Sequence, residues 1–251
     1  MTRRLFASVL ALLLLAGWVT DDVPLPRDLE AEGIDEDCGT VLSPPSGARR
    51  AAAIAGRGRA IGALDRAACE TALRGAGVAF EAVSASEASG VEQAIRLAGP
   101  LDGVRITPDE GVHSVIDCRL AVALLAWAPD LRAQGVARVE HVSIYRPGAR
   151  VAGSRRVSGH AHALAIDALA FVLDDGRRLP VLDAWLDRAR GVDPCTTHEG
   201  DDDGTARMRA AVCAAVQHDL FQVVLTPHHD DAHANHVHLE VRPGVDWSFV
   251  H

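Results

Sequence analysis

Five of the twelve histidines fall within residues 226–241, TPHHDDAHANHVHLEV. Within that run Val237, Leu239 and Val241 alternate with His236, His238 and Glu240. A strand beginning near His236 therefore puts His236 and His238 on one face and the apolar residues on the other. Imidazoles two residues apart on a strand can reach one metal ion, and zinc takes three or four N, O or S donors in tetrahedral array. An isolated HxH also occurs on edge strands that bind nothing, so the reading depends on finding further donors elsewhere.

Those donors are in SGHAHALAID, residues 158–167. His160 and Asp167 are seven positions apart, an odd number, and one continuous strand would point them to opposite faces. The chain must bend, and a turn around residues 159–163 would deliver His160 back over the strand that carries Asp167. With His238 this makes two imidazoles and one carboxylate, a charge-neutralising set with a fourth position left for water, as in catalytic rather than structural zinc sites. Several neighbours have plainer readings. His162 is a bystander on the same turn, His228 and His229 are solvated residues after Pro227 with at most loose metal binding, and Asp201 to Asp203 form a solvated acidic loop without EF-hand spacing.

The elements that must position these residues are legible in part. Ala, Leu and Arg content predicts a helix over 51–74, broken by Gly75 and Gly77. Helical spacing over 118–131 offers Leu120, Leu124, Leu125 and Trp127 to a core. Strands are expected at 104–107, 139–145, 165–173 and 221–225, and further helices at 181–190 and 206–218. Helices interleaved with strands and turns, and no phosphate-binding loop, predict an α+β fold in which a small antiparallel sheet carries the zinc site and helices flank it.

Arg3 and Arg4, the apolar run 5–19 and then Asp21 and Asp22 read as an export signal over 1–20. The run falls short of the ~20 residues of a membrane span, and because no clean cleavage site follows, an uncleaved N-terminal anchor is the alternative. Residues 21–50 read as a flexible lead-in and 51–251 as the folded domain. The 251-residue chain has a formal net charge of −9, no lysine and scattered arginines, which excludes a nucleic-acid footprint. Five cysteines in an exported protein suggest one or two disulfides and an odd thiol. Cys195 with Cys213 is the preferred pair and Cys38 with Cys69 the next, and no CxxC supports a cysteine zinc ribbon.

SxHxxxxAxD followed by HxxHxH resembles the metallopeptidases grouped as lysostaphin, D-Ala-D-Ala peptidase and murein endopeptidase. The ordered pieces ALRGAGVAFE, VRITPDE, DCRLAVALLAWAP, SIYR, SGHAHALAIDALAFVLDDGR and FQVVLTPHHDDAHANHVHLEV are similar to the bacterial extensin-like C-terminal domain family. The resemblance implies Zn2+ held by His160, Asp167 and His238, with His236 as base or transition-state stabiliser. It also implies a further active-site histidine at His233, an Arg146 that grips a substrate carboxylate or the attacked carbonyl, and a Ser158 that caps the turn aiming His160. Tyr145 stands where the family usually has a cysteine, and Asn235 where an aspartate commonly precedes HxH. The implied activity is zinc-dependent amide hydrolysis of peptidoglycan stem peptides, of carboxypeptidase or endopeptidase type, in the periplasm, cell envelope or outside the cell. The alternative is a non-enzymatic envelope module that binds wall polymer or zinc.

Overall fold

The computed structural model describes residues 58–109, 114–186, 188–196 and 200–251. The expected leader, the lead-in, Cys38 and the start of the 51–74 helix lie outside those residues. The described part of that helix is two pieces, α1 (Gly58–Gly62) and α2 (Arg66–Gly75). Asp65 separates them: its backbone is extended and its carboxylate accepts a hydrogen bond from the Ala68 amide at 2.8 Å. Such a cap satisfies an orphan amide at a new helix start, so Asp65 begins a second helix instead of continuing the first.

A small antiparallel sheet follows that the sequence pattern does not announce, β1 (Phe80–Ala82), β2 (Ala94–Leu97) and β4 (Val115–Asp117), ordered β1-β2-β4. β3 (Arg105–Pro108) leaves it for the main sheet. α3 (Cys118–Ala133) is then capped by Asp117, whose carboxylate accepts from the Arg119 amide. Leu120, Leu124, Leu125 and Trp127 are all buried, as their spacing predicts. Trp127 meets Phe171 and Phe221 edge to face and donates its indole N–H to the Ala211 carbonyl at 2.7 Å, so its polar atom is satisfied inside the core.

The main sheet adds β5 (Val136–Ser143), β6 (Ala165–Leu173), β7 (Arg178–Pro180), β8 (Val223–Leu225), β9 (Val237–Glu240) and β10 (Phe249–Val250). Its order is β10-β8-β9-β6-β5-β3, with β7 also on β6. The centre is antiparallel as expected, but the edges are not: β3 runs parallel to β5, and β10 parallel to β8. A parallel pair needs a crossover, and between β3 and β5 the chain makes one through β4 and α3.

α4 (Val181–Ala184) is a single turn where a helix over 181–190 is expected. Trp185 takes non-helical dihedrals and is fully buried, with the Arg209 guanidinium 4.6 Å from its ring centroid. Burying the ring ends the helix. α5 (Asp203–Gln217) begins at the end of the acidic run, whose Asp202 and Asp203 are exposed as expected while Asp201 is drawn inward. Asp202 accepts from the Thr205 amide at 2.7 Å as the helix cap, and Asp201 pairs with the buried Arg209 at 2.8 Å.

Among the described residues two disulfides are formed. Cys195–Cys213 is the preferred pair, and the second is Cys69–Cys118, not Cys38–Cys69. Cys69 on α2 faces the first turn of α3 with the two Cα atoms 6.1 Å apart, within bridging range. Among the described residues no helix is long and apolar enough to cross a membrane.

Candidate metal centre

Strand register brings the first two donors together. Asp167 on β6 lies directly opposite His238 on β9, and on its other side opposite Ser143 on β5. His160 arrives by the bend that its odd spacing requires, a 3-10 turn over Gly159–His162. The Ser158 hydroxyl caps that turn by accepting from the His160 amide at 3.4 Å, and Ala163 ends it at φ 51°. A left-handed alanine costs roughly 1–2 kcal/mol, which the turn must offset by its packing. Gly159 leaves room for Glu240: a Cβ there would lie 2.6 Å from its Cδ and force that side chain to shift.

Asp167 Oδ1 is 3.1 Å from His160 Nε2 and 2.9 Å from His238 Nδ1, and the two nitrogens are 3.3 Å apart. Ligand atoms on a tetrahedral zinc, each about 2.0–2.1 Å from the ion, are separated by about 3.3 Å. The tautomers agree with that geometry. His160 Nδ1 is 3.0 Å from the Ile144 carbonyl, which can only accept, so Nδ1 carries a proton and in the neutral ring the Nε2 lone pair faces inward. His238 Nε2 donates to Glu240 Oε2 at 3.2 Å, so once the ring is neutral its Nδ1 lone pair is turned inward as well. Two lone pairs and a carboxylate oxygen converging in a buried place repel one another unless a proton or a cation lies between them. The His160, Asp167 and His238 group could therefore hold a metal ion.

The same arrangement shifts the titrations. Burial works against ionising Asp167, but hydrogen bonds and charge from His160 and His238 prevail and hold its carboxyl far below the usual range. For His238 burial likewise disfavours charge, and the hydrogen bonds and negative charges of Asp167 and Glu240 outweigh it and push the value up to about 9. Burial raises the Glu240 carboxyl, and His238 and Arg242 more than reverse that. His236 goes the other way, to about 4, because burial dominates over the nearby Asp167 charge.

The other sequence-predicted residues fall around this group. His236 sits just before β9, with Nε2 3.5 Å from Asp167 Oδ1. Its Nδ1 donates to Asn235 Oδ1 at 2.8 Å, so the free lone pair faces the centre. The His233 ring centroid is 5.0 Å from that of His236. Arg146 Nη2 reaches Asp167 Oδ2 at 4.0 Å, with its side chain 57% exposed. His162 is outside the group and bonds the Gly90 carbonyl. His228 is no solvated loop residue: it is fully buried between the Ala189 carbonyl and Arg209. All but His162 and His228 line one cleft of about 920 Å³, together with Arg150, Arg156, Arg242, Trp247 and Phe249.

Sequence reasoning passed over the groups that orient the imidazoles. Glu240 was signalled by its position two residues after His238 on the same strand face. The Ile144 carbonyl carries no signal of residue type. Buried His141 on β5 was also missed; burial lowers it to about 4, and Asp167, His160 and Asp109 are the charges it feels.

The family of extensin-like proteins, by the model of their C-terminus, matches residues 67–249. No curated protein and no solved structure matches the chain. The match spans well over half of the chain, which therefore belongs to the extensin-like family.

Proposed function

From membership of the extensin-like family and the geometry of the buried centre, we propose that the protein is an exported zinc-dependent amide hydrolase acting on peptidoglycan peptides, related to the lysostaphin, D-Ala-D-Ala peptidase and murein endopeptidase group. The observation that carries the reading is the convergence of His160 Nε2, His238 Nδ1 and Asp167 Oδ1 in the cleft, with the outer nitrogen of each ring held by a protein acceptor. His160, Asp167 and His238 would hold the zinc. When bound, the ion supplies a Lewis acid that polarises a carbonyl and acidifies water.

The chain's own residues divide the remaining work. His236, neutral at pH 7, points Nε2 at the centre and can take a proton from water as it attacks an amide. Asn235 fixes that ring by accepting its Nδ1–H. His233 stands beside His236 in the wall of the cleft. Arg146 is well exposed and loosely held, so its guanidinium can bind a carboxylate or the carbonyl under attack. Arg150, Arg156 and Arg242 add cations to the cleft of a chain with formal net charge −9, which suits a substrate bearing carboxylates. Two disulfides are compatible with an oxidising compartment.

Trp247 and Phe249, the exposed aromatic side chains among the described residues, line the same cleft. They favour a second reading, a non-enzymatic envelope module that holds wall polymer by stacking on sugar rings. Incubating purified protein and its His236→Ala variant with peptidoglycan fragments, and following both cleavage and binding, separates the two. Hydrolysis lost in the variant with binding retained supports the enzyme; binding by both proteins and cleavage by neither supports the module.

A further inference from the structure

The rim of the cleft carries a second group of the same composition, His229, Asp230 and His233. Each offers one donor atom within 4.8 Å of the other two. Asp230 bridges the rings: Oδ1 accepts from His233 Nδ1 at 2.6 Å and Oδ2 lies 3.7 Å from His229 Nε2. The ring centroids of His229 and His233 are 5.2 Å apart.

The backbone fixes this constellation. The His229 amide donates to the Thr226 carbonyl at 2.9 Å, and the His233 amide to Asp230 Oδ1 at 3.0 Å, so the carboxylate caps the 3-10 turn Asp231–His233. Arg190 ties the turn down by donating to the Pro227 carbonyl at 2.7 Å and pairing with Asp231. Phe249 stands perpendicular to the His229 ring at 6.0 Å, and a further imidazole, His251, has its centroid 5.4 Å from that of His229. Among the described residues, buried His229 Nδ1 has no hydrogen-bond partner. The other nitrogen of that ring, Nε2, is turned toward the Asp230 carboxylate.

We infer that His229, Asp230 and His233 form a second site for a borderline divalent cation such as zinc, separate from the buried centre and weaker than it. Two imidazole nitrogens and a carboxylate oxygen, with His251 bordering, are the donors such ions prefer. The site is weaker because the Asp230 side chain is 49% exposed and also caps a turn, so water and the backbone compete for its oxygens. The His233 ring centroid is 5.0 Å from that of His236 and 6.1 Å from that of His238, so a cation on the rim fixes a ring that stands against the buried centre.

Zinc titration of the full chain without a histidine tag, by calorimetry and by elemental analysis after equilibrium dialysis at saturating zinc, tests this. Wild type should take up two zinc ions per chain in two resolved phases, and His229→Ala and Asp230→Asn should each keep the tighter phase and lose the weaker. Saturation at one ion in wild type, or a second ion that survives in both variants, overturns the site. The two centres fail separately. His160→Ala should lose the tight phase alone; if it loses nothing while His229→Ala loses one ion, the rim site stands and the buried zinc centre of the proposed function falls.

Discussion

The buried group of His160, Asp167 and His238 and the rim group of His229, Asp230 and His233 use the same three residue types, yet their surroundings divide them. In the buried group each outward nitrogen has a protein acceptor, the Ile144 carbonyl for His160 and Glu240 for His238, and Glu240 is itself held by Arg242 at 2.7 Å. Asp167 is left to face inward. On the rim Asp230 divides its oxygens between a ring, an amide and solvent, and His229 Nδ1 has no partner among the described residues. What separates a strong candidate from a weak one is therefore the set of groups that fix tautomer and exclude water, and these are absent from any list of donors.

Removing a donor from each group is the hardest test of that contrast. His160→Ala or His238→Ala should abolish tight zinc binding and reduce peptide hydrolysis to background, whereas His229→Ala should leave both the tight zinc and the fold intact; metal analysis and an amide-cleavage assay report this. Next, His236→Ala should lower turnover by roughly 10²–10⁴-fold, the range for a general base, with zinc content unchanged. Parallel loss of zinc would make His236 a ligand instead.

A smaller effect comes from the supports. Glu240→Ala should weaken the buried site by roughly 10–100-fold, as loss of an orienting partner does. Gly159→Ala should act in the same direction, because its Cβ would displace the Glu240 side chain. Competition with a chromogenic chelator measures both. If neither changes affinity, the surroundings are not what separates the two groups.

The smallest effect is in stability. His238 is raised from 6.5 to about 9, so the stability it contributes to chelator-treated protein is fully present below pH 6.5 and lost as pH rises through about 9, roughly 3 kcal/mol in all. His141 and His236 are lowered from 6.5 to about 4; the unfolded chain takes up their protons first, so stability also falls as pH drops from 6.5 toward 4. Thermal melts of zinc-free protein should therefore peak near pH 6.5, and zinc should stabilise more strongly toward pH 9, where binding no longer has to displace the His238 proton. A melt profile flat from pH 6.5 to 9 would contradict the coupling between His238, Asp167 and Glu240.

Much of the centre was legible because its chemistry lies in residue types at telling intervals. The odd separation of His160 and Asp167 demanded a bend, which Ser158, Gly159 and left-handed Ala163 provide. The alternation from His236 to Val241 set which side chains of β9 share the sheet face with Asp167, which lies directly opposite His238. The helix spacing of Leu120, Leu124, Leu125 and Trp127 gave the core of α3. Other parts depended on tertiary contacts that leave no local pattern. β1, β2 and β4 span three or four residues each, too few to show alternation. His228 and Asp201 read as polar loop residues until Arg209 buries beside both. The partner of Cys69 follows from how α2 packs on α3, which spacing alone does not specify.

Metal content tests the buried centre most directly. Untagged full-length protein, dialysed to remove weakly held ions, should retain about one zinc per chain, and His160→Ala and His238→Ala should each retain none. Wild type that takes up no zinc even when it is supplied, or zinc that persists in both variants, would contradict the buried centre and the hydrolase built on it.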